Sequence, residues 1–390
     1  MNISVLDQTY VAQTYNRFPV EILSGKGSVL KDSAGKEYID LGSGIGVNTF
    51  GVADEIWLKA VQDQLNRLHH SSNLYYSEPC AKLAQLMCEK TGMKKVFFAN
   101  SGAEANECAI KVARKYSAEN KSPSHYTIIT LKNSFHGRTL TTLSATGQEA
   151  FHQMFHPLSP GFIHVPADDE NALEQAVLSV RPAGIMLEMV QGEGGVIPLS
   201  RQFAQKAQKL ALEHDVPLII DEVQTGNGRC GSLYAYQQYG LSPDIVSTAK
   251  GLGGGLPIGA CMMNEKTQSV LSYGDHGSTF GGNPVCCAGA ISILRRIDDT
   301  LLNQVREKEQ LVVSALNDQQ GIKSVSGLGL MIGIKTVKPA REVALVCIKK
   351  GVLCLTAKDK VRLLPALNIP NEQLMWAVDV IKSVCKENMV

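Results

Sequence analysis

Pro217-Leu218-Ile219-Ile220-Asp221-Glu222 and, further along, Asp244-Ile245-Val246-Ser247-Thr248-Ala249-Lys250 decide how this sequence is read. Each is a short apolar run that delivers a charged residue at its end. Loose backbone follows both, Gly226-Asn227-Gly228 after the first and Gly251-Leu252-Gly253-Gly254-Gly255 after the second. Short apolar runs bounded by such signals read as strands buried on both faces. In an open α/β sheet, ligands sit beyond the C-terminal ends of such strands. A carboxylate, Asp221, and a lone lysine, Lys250, are therefore presented together. That pair suits pyridoxal 5'-phosphate: the lysine amine forms a Schiff base with the aldehyde, and the carboxylate holds a proton on the pyridine nitrogen.

Other readings of the same stretch are weaker. Asp221-Glu222 after an apolar run resembles a magnesium-holding strand, but that needs a G-x-x-x-x-G-K-[ST] loop. Gly25-Lys26 and Gly35-Lys36 are not followed by Ser or Thr, so the nucleotide-triphosphatase reading fails. Gly226-Asn227-Gly228-Arg229-Cys230-Gly231 is a literal G-x-G-x-x-G. A dinucleotide fingerprint places those glycines at the strand-to-helix turn itself. Here five residues intervene after the strand and no long helical pattern follows. Lys250 could be an ordinary solvated lysine, but it sits between a buried run and a cluster of glycines.

Composition sets the frame. The chain has 390 residues, 44% hydrophobic and 19% charged, which suits a globular enzyme of two domains. A formal net charge of +1 favours neither nucleic acid nor an acidic membrane surface. The 10 cysteines include no C-x-x-C pair and read as buried thiols of a reducing compartment. No metal site is expected. The N-terminus lacks a basic segment followed by an apolar core, and no apolar run approaches membrane-spanning length. A cytoplasmic protein is the expectation.

Residues 1–18 read as a polar arm, and Val20 to Leu41 as short strands. Gly42-Ser43-Gly44-Ile45-Gly46 reads as a flexible joint near a domain crossing. Helical patterns follow from Asp54, with Ile56, Val61 and Leu65 on one face, and from Pro79 to Lys90. The strand Lys95–Ala99 feeds Asn100-Ser101-Gly102-Ala103-Glu104-Ala105-Asn106, which opens a helix reaching Tyr116. Free amides at that N-terminus, glycine for close approach and the Ser101 hydroxyl make a candidate phosphate cradle. Ser101 capping the helix with Glu104 is the plainer reading, and the two are compatible.

After a strand at Tyr126–Thr130, the loop Asn133-Ser134-Phe135-His136-Gly137-Arg138-Thr139 offers an aromatic for a flat ring and an arginine for a carboxylate. The bland alternative is a core Phe135 and an Arg138 paired with a nearby acid. Strands at Phe162–Val165 and Ile185–Leu187 and a helix from about Ser200 to His214 complete an alternation that implies a mainly parallel sheet covered on both faces. Ile258–Met262 reads as one more strand, and His276 to Pro284 as a binding loop. Residues 300–390 alternate differently and form an α+β unit packed with residues 19–41, with one strand over Leu328–Ile334. The expected organisation is 1–50 for the arm and part of the small domain, 51–290 for the large cofactor-binding domain, and 291–390 for the C-terminal small domain.

Taken in order, six motifs resemble the class III, ornithine-type aminotransferases: Asn100 to Asn106, Phe135 to Thr139, Gln191-Gly192-Glu193-Gly194-Gly195, Asp221 to Gly226, Ala249 to Gly255, and Gly277-Ser278-Thr279-Phe280-Gly281-Gly282-Asn283-Pro284. The likeness runs nearly end to end. It implies an α/β protein of the pyridoxal-phosphate-dependent transferase fold type I, a homodimer with shared active sites, and transfer of an amino group from a small-molecule donor to 2-oxoglutarate. The donor it implies is N-acetyl-L-ornithine. Ornithine, 4-aminobutyrate, succinylornithine and succinyldiaminopimelate stay open as alternatives, as does, more remotely, a non-catalytic cofactor-binding protein.

By resemblance, Lys250 carries the cofactor and Asp221 salt-bridges its ring nitrogen. Gln224 reaches the ring hydroxyl, and Glu222 and Val223 lie against the cofactor. Ser101, Gly102 and Ala103 hold the phosphate, helped by Thr279 from the partner subunit. Phe135 stacks on the ring. Arg138 holds the substrate α-carboxylate, with Ser278 and Tyr15 beside the substrate. Glu193 pairs with Arg362 and releases it for the distal carboxylate of 2-oxoglutarate. Ala103 stands where the family commonly has Thr, Cys230 replaces a frequent Thr, and Ser326 a frequent Arg.

Overall fold

The structure, a computed structural model, describes residues 3–387; residues 1, 2 and 388–390 of the expected arm and C-terminal unit lie outside that range. Its centre is a seven-stranded sheet in the spatial order Lys95–Ala99, Gly259–Met263, Ile245–Thr248, Leu218–Asp221, Gly184–Leu187, Ile128–Leu131, Phe162–Val165. Every pairing from Ile245–Thr248 outward to Phe162–Val165 is parallel. Gly259–Met263 runs antiparallel to both its neighbours. The C-terminal ends of the other strands therefore share one edge, and Gly259–Met263 begins at that same edge.

The apolar runs are continuous because both faces are covered. Side chains alternate across the sheet. Met186, Ile219 and Ile245 pack with Cys108, Ala109, Val112 and Ala113 of the helix Gly102–Asn120. Ile185, Leu187, Leu218, Ile220 and Val246 pack with Leu173, Phe203, Ala207 and Leu210 from the helices Glu170–Val180 and Arg201–Glu213. The helix starts are set by side chains: Ser101 accepts from the amide of Glu104 at 3.2 Å, and Ser200 from that of Phe203 at 3.1 Å.

A second, antiparallel sheet has the order Ile322–Leu328, Met331–Thr336, Lys360–Leu363, Leu355–Ala357. Its core joins Ile332, Ile334 and Leu363 to Val312, Val343, Leu374 and Ile381 of the helices Asp299–Leu316, Ala340–Lys349 and Asn371–Lys386. A third sheet ties the two chain ends together, since Glu37–Asp40 pairs in parallel with Val352–Leu353.

Several expectations are corrected. The single strand over Leu328–Ile334 is a hairpin that reverses at Gly329, whose φ of +59° suits glycine. A Cβ there would lie 2.5 Å from the Arg229 carbonyl oxygen. The polar arm holds a helix, Ile3–Tyr10. Gly42–Gly46 is a tight turn rather than a loose joint: the Asp40 carboxylate accepts from the amides of Gly42 at 2.8 Å and Ser43 at 3.0 Å, and Ser43 and Gly46 are buried. Val61 is buried, but Ile56 and Leu65 on its helix are 58% and 50% exposed in the isolated chain.

One contact pins the start of the helix Glu55–Arg67 to the segment that follows the helix Pro284–Leu294. Asp54 accepts from the amide of Trp57 at 2.9 Å and takes a bidentate pair from Arg296 at 2.9 and 3.0 Å. The Arg296 guanidinium lies 3.9 Å over the Phe50 ring. Asp54→Ala removes a cap and leaves a mostly buried guanidinium unpaired, a loss of about 3 kcal/mol. Asp54→Asn keeps the cap and loses less. Calorimetric unfolding of the two variants checks the order; equal midpoints would show that the Arg296 pair contributes nothing.

Candidate active site

Strand ends at the common edge surround a cavity of about 480 Å³ lined by Ser101, Gly102, Phe135, Arg138, Asp221 and Lys250, among others. The topology explains this convergence. Ala99, Leu131, Leu187, Asp221 and Thr248 end their strands there, and the loops that follow carry the polar residues.

Asp221 continues the alternation of Ile219 and so faces the helix Gly102–Asn120. Its Oδ2 accepts from Asn106 Nδ2 at 2.7 Å and lies 2.8 Å from His136 Nδ1, while Oδ1 accepts from the Val223 amide at 2.9 Å. Asn106 also donates to the His136 carbonyl at 2.8 Å. Glu222 continues the alternation of Ile220 and turns to the other side. It accepts from Thr225 Oγ1 at 2.5 Å and from the Tyr236 amide at 2.8 Å and does not line the cavity. The Glu222 side chain thus points away from the cavity, whereas Val223 lines it.

Lys250 has φ +45°, a left-handed conformation that costs a residue with a side chain on the order of 1 kcal/mol or more. The turn is held from outside. Thr49 Oγ1 donates to the Gly251 carbonyl at 2.7 Å, and Asn227 Nδ2 donates to Thr248 Oγ1 at 3.0 Å and to the Ala249 carbonyl at 3.2 Å. The G-x-G-x-x-G passage thus serves as scaffold: Asn227 holds the lysine turn, and Arg229 donates to the carbonyls of Leu330 at 3.1 Å and Pro365 at 2.5 Å. Among the described residues, Lys250 Nζ has no hydrogen bond or ion pair. Burial lowers its pKa from the ordinary lysine value, and Arg362 adds to that, against the opposing pull of Glu193 and Asp221.

Two further sets of contacts complete the site. Ser101 caps its helix, and among the described residues the amides of Gly102 and Ala103 have no acceptor. A Cβ on Gly102 would meet Val223 Cγ1 at 2.6 Å, so only glycine fits between the helix start and the cavity wall. Arg362 is buried, pairs with Glu193 Oε1 at 2.5 Å and donates to Gln224 Oε1 at 3.2 Å.

These residues fit pyridoxal phosphate. The helix start offers unpaired amides for a phosphate, Phe135 a ring face, Asp221 a carboxylate for the ring nitrogen, and Lys250 an unpartnered amine for the aldehyde.

Not every expected residue meets here. Tyr15 is 72% exposed and stacks with Arg17 outside the cavity. Ser278 and Thr279 line a neighbouring cavity with His70, Asn73 and Cys80, and Asn100 bridges toward them through its 3.1 Å bond to Ser278 Oγ. Local sequence pattern points to no role for Asn106, His136 or Glu188. Glu188 lines the cavity and accepts from the Phe135 amide at 3.0 Å. Burial, reinforced by the charge of Asp221, pushes its carboxyl well above the usual range. The available signal was position: Glu188 ends an apolar strand, as Asp221 does.

Comparison with known proteins agrees with this geometry. The family model described as aminotransferase class-III matches residues 10–385. An acetylornithine aminotransferase of Haemophilus ducreyi is 51% identical over 387 residues, covering 99% of this chain and 98% of that protein. The structure of N-acetylornithine aminotransferase from Stenotrophomonas maltophilia superposes with a TM-score of 0.84 at 33% identity, covering 97% of both chains. The ornithine aminotransferase of Toxoplasma gondii, whose active site holds pyridoxal phosphate at partial occupancy, superposes with a TM-score of 0.94 at 31% identity, covering 98% of this chain and 93% of that one.

Burial raises the Glu222 carboxyl to about 7. A carboxyl whose folded pKa lies above its unfolded value contributes stability that is complete below the unfolded pKa and lost as pH rises through the folded one. Folding should therefore weaken by about 3 kcal/mol between roughly pH 4.5 and 7 on account of this group. Glu222→Gln keeps an acceptor for the Tyr236 amide and turns an NH2 donor to the Thr225 hydroxyl, and it should remove that decline, read as the pH dependence of its unfolding free energy against that of the parent. Parallel pH curves would contradict the assignment.

Proposed function

The chain belongs to the class-III aminotransferases, and we propose that it uses pyridoxal phosphate to move the terminal amino group of N-acetyl-L-ornithine to 2-oxoglutarate, giving N-acetyl-L-glutamate 5-semialdehyde and L-glutamate. The observation that carries this reading is the convergence of Lys250, Asp221 and the unpaired amides of Gly102 and Ala103 on one cavity. The name of the Haemophilus ducreyi relative supports the donor. The Toxoplasma gondii backbone fits better by TM-score than that of the Stenotrophomonas maltophilia enzyme, which favours ornithine as a second reading. Side chains rather than backbone set donor choice, so the 51% identity weighs more.

Bound pyridoxal phosphate supplies an aldehyde that takes up the amine and a ring that accepts electron density. The chain's own residues do the rest. Asp221, fixed by Asn106, His136 and the Val223 amide, holds a proton at the ring nitrogen. Lys250 would hold the cofactor through its aldehyde, and burial, which lowers its pKa, would favour the free amine as the base that takes a proton from the carbon bearing the transferred nitrogen. Arg138 holds the carboxylate at the far end of the donor. The donor's reacting carbon carries no carboxylate, so an uncovered cation beside Lys250 would be unmatched. Glu193 covers Arg362 in that half-reaction. In the other half-reaction the keto carbon of 2-oxoglutarate has a carboxylate next to it. Arg362 donates to Gln224 Oε1, and Gln224 lines the cavity with Lys250, so the guanidinium lies beside the reacting centre. It suits that proximal carboxylate, which revises the sequence-based expectation of the distal one.

Thr279 is exposed and outside its own chain's cavity, which supports its acting in the site of a second copy. Leu74, which lines the same cavity as Thr279, its chain neighbours Tyr75 and Tyr76, and Phe280 are 89%, 72%, 109% and 59% exposed, apolar side chains that fit a homodimer surface. No helix among the described residues is long and apolar enough to cross a membrane.

The test is to load the protein with pyridoxal phosphate and follow its visible absorbance on adding N-acetylornithine, ornithine or 4-aminobutyrate. The band should convert to that of the aminated cofactor fastest with N-acetylornithine. Fastest conversion by another amine replaces the proposed donor, and a folded sample that takes up no cofactor overturns the reading. Glu193→Gln leaves Arg362 without its charged cover. It should raise the preference for glutamate over N-acetylornithine by about tenfold in kcat/KM; an unchanged ratio argues against Glu193 as the cover.

A further inference from the structure

The two arginines of the site are held in different ways. Arg362 is paired with a carboxylate, so any substrate carboxylate must displace Glu193. Among the described residues, Arg138 has no ion pair and no hydrogen bond. An arginine without partners has several freely rotating bonds and on the order of 2 kcal/mol of rotamer entropy to lose on binding. Arg138 is held by ring faces instead. Its guanidinium carbon lies 3.9 Å from the centroid of Phe151 and 5.5 Å from that of Phe135. The two rings meet edge to face at 82° with centroids 6.1 Å apart. Phe135 lines the cavity and has the cofactor ring to serve; Phe151 does not line it.

From this geometry we infer that Phe151 is a positioning residue for Arg138, holding the guanidinium by its flat face so that its in-plane N–H edge stays free for the substrate carboxylate. The inference rests on the reading of Arg138 as the carboxylate site. A carboxylate partner would hold Arg138 as firmly but would occupy the same edge that binds substrate. A ring face attracts the cation without using that edge. The difference matches the two roles. N-acetylornithine and 2-oxoglutarate both carry a carboxylate at the end remote from the reacting carbon, so Arg138 is needed in both half-reactions and requires no switch. Arg362 is needed in one and has a cover that can leave.

The backbone keeps Phe151 in register with Arg138. The turn Glu149–Phe151 is tied to the loop that carries Arg138 by three bonds: Asn133 N to Gly147 O at 2.7 Å, Gly147 N to Ser134 Oγ at 3.0 Å, and Gln148 Nε2 to Ser134 O at 3.1 Å. On the other side, buried His152 anchors the turn through Nε2, which lies 2.9 Å from the Leu143 carbonyl and 2.7 Å from that of Thr146.

The test compares the holoenzyme with Phe151→Leu, Phe151→Tyr and Arg138→Gln, using N-acetylornithine, 2-oxoglutarate and n-butylamine, an amine with no carboxylate. Phe151→Leu should raise KM for both carboxylate substrates by roughly tenfold with kcat nearly unchanged, and leave the half-reaction with n-butylamine, read as conversion of the loaded cofactor's absorbance without 2-oxoglutarate, at the parent rate. Phe151→Tyr keeps a ring face and should restore the parent KM values. Arg138→Gln should lose the same two substrates more severely. Unchanged KM values in Phe151→Leu beside that loss in Arg138→Gln overturn the role of Phe151 alone. An equal loss for n-butylamine in Phe151→Leu overturns it as well, because the effect is then general. If Arg138→Gln leaves both carboxylate substrates unaffected, the carboxylate assignment fails and the inference falls with it.

Discussion

Asp221 stands at the end of the central strand with three donors directed at its carboxylate: the amide nitrogen of Asn106, the ring nitrogen of His136 and the backbone amide of Val223. Much of the site depends on that arrangement. Asn106 belongs to the helix whose first amides face the cavity. His136 belongs to the loop that carries Phe135 and Arg138. Val223 is the residue against which Gly102 packs. The carboxylate therefore draws the helix start with its free amides, the Phe135 ring and Arg138 toward one point. Buried polar groups arranged in this way are strongly placed, because leaving any of them unpaired carries its full desolvation cost.

The same edge holds charges that must be kept apart in behaviour. Glu188 and Asp221 are both buried carboxyls at strand ends, and their mutual influence with burial pushes the Glu188 carboxyl upward. Lys250 is pushed the other way. One low-dielectric pocket thus shifts an acid toward its protonated form and an amine toward its free form. Neighbouring groups whose environments move their pKa values in opposite senses are what proton-transfer chemistry requires. The strained turn at Lys250 belongs to the same design: Thr49 and Asn227, from distant parts of the chain, hold it in place.

Much of this was legible in the sequence because it depends on short-range pattern. Leu218–Asp221 and Ile245–Thr248 announce themselves as apolar runs, and their charged ends led to Asp221 and Lys250. The alternation within the first run also contained the answer to Glu222, since adjacent residues on a strand face opposite sides. What could not be read were partners fixed by topology. Nothing local joins Asn106 to Asp221, 115 residues away. Phe151 lies in a turn with no periodic signal, and its role exists only because three hydrogen bonds bring it beside Arg138. Gly329 looked like part of a strand because the residues around it are apolar; the close approach of the Arg229 backbone makes it a reversal. Ser278 and Thr279 were legible as a binding loop, yet a single chain holds them outside the Lys250 cavity.

The central claim is that Lys250 is the residue to which pyridoxal phosphate attaches. The most direct measurement is to load the protein with pyridoxal phosphate, reduce it with sodium borohydride, digest it and map the modified lysine by mass spectrometry. The account predicts stoichiometric modification of the peptide containing Lys250 and none of that peptide when N-acetylornithine is added before reduction. Modification spread over surface lysines, or fixed on a different single lysine, would contradict it.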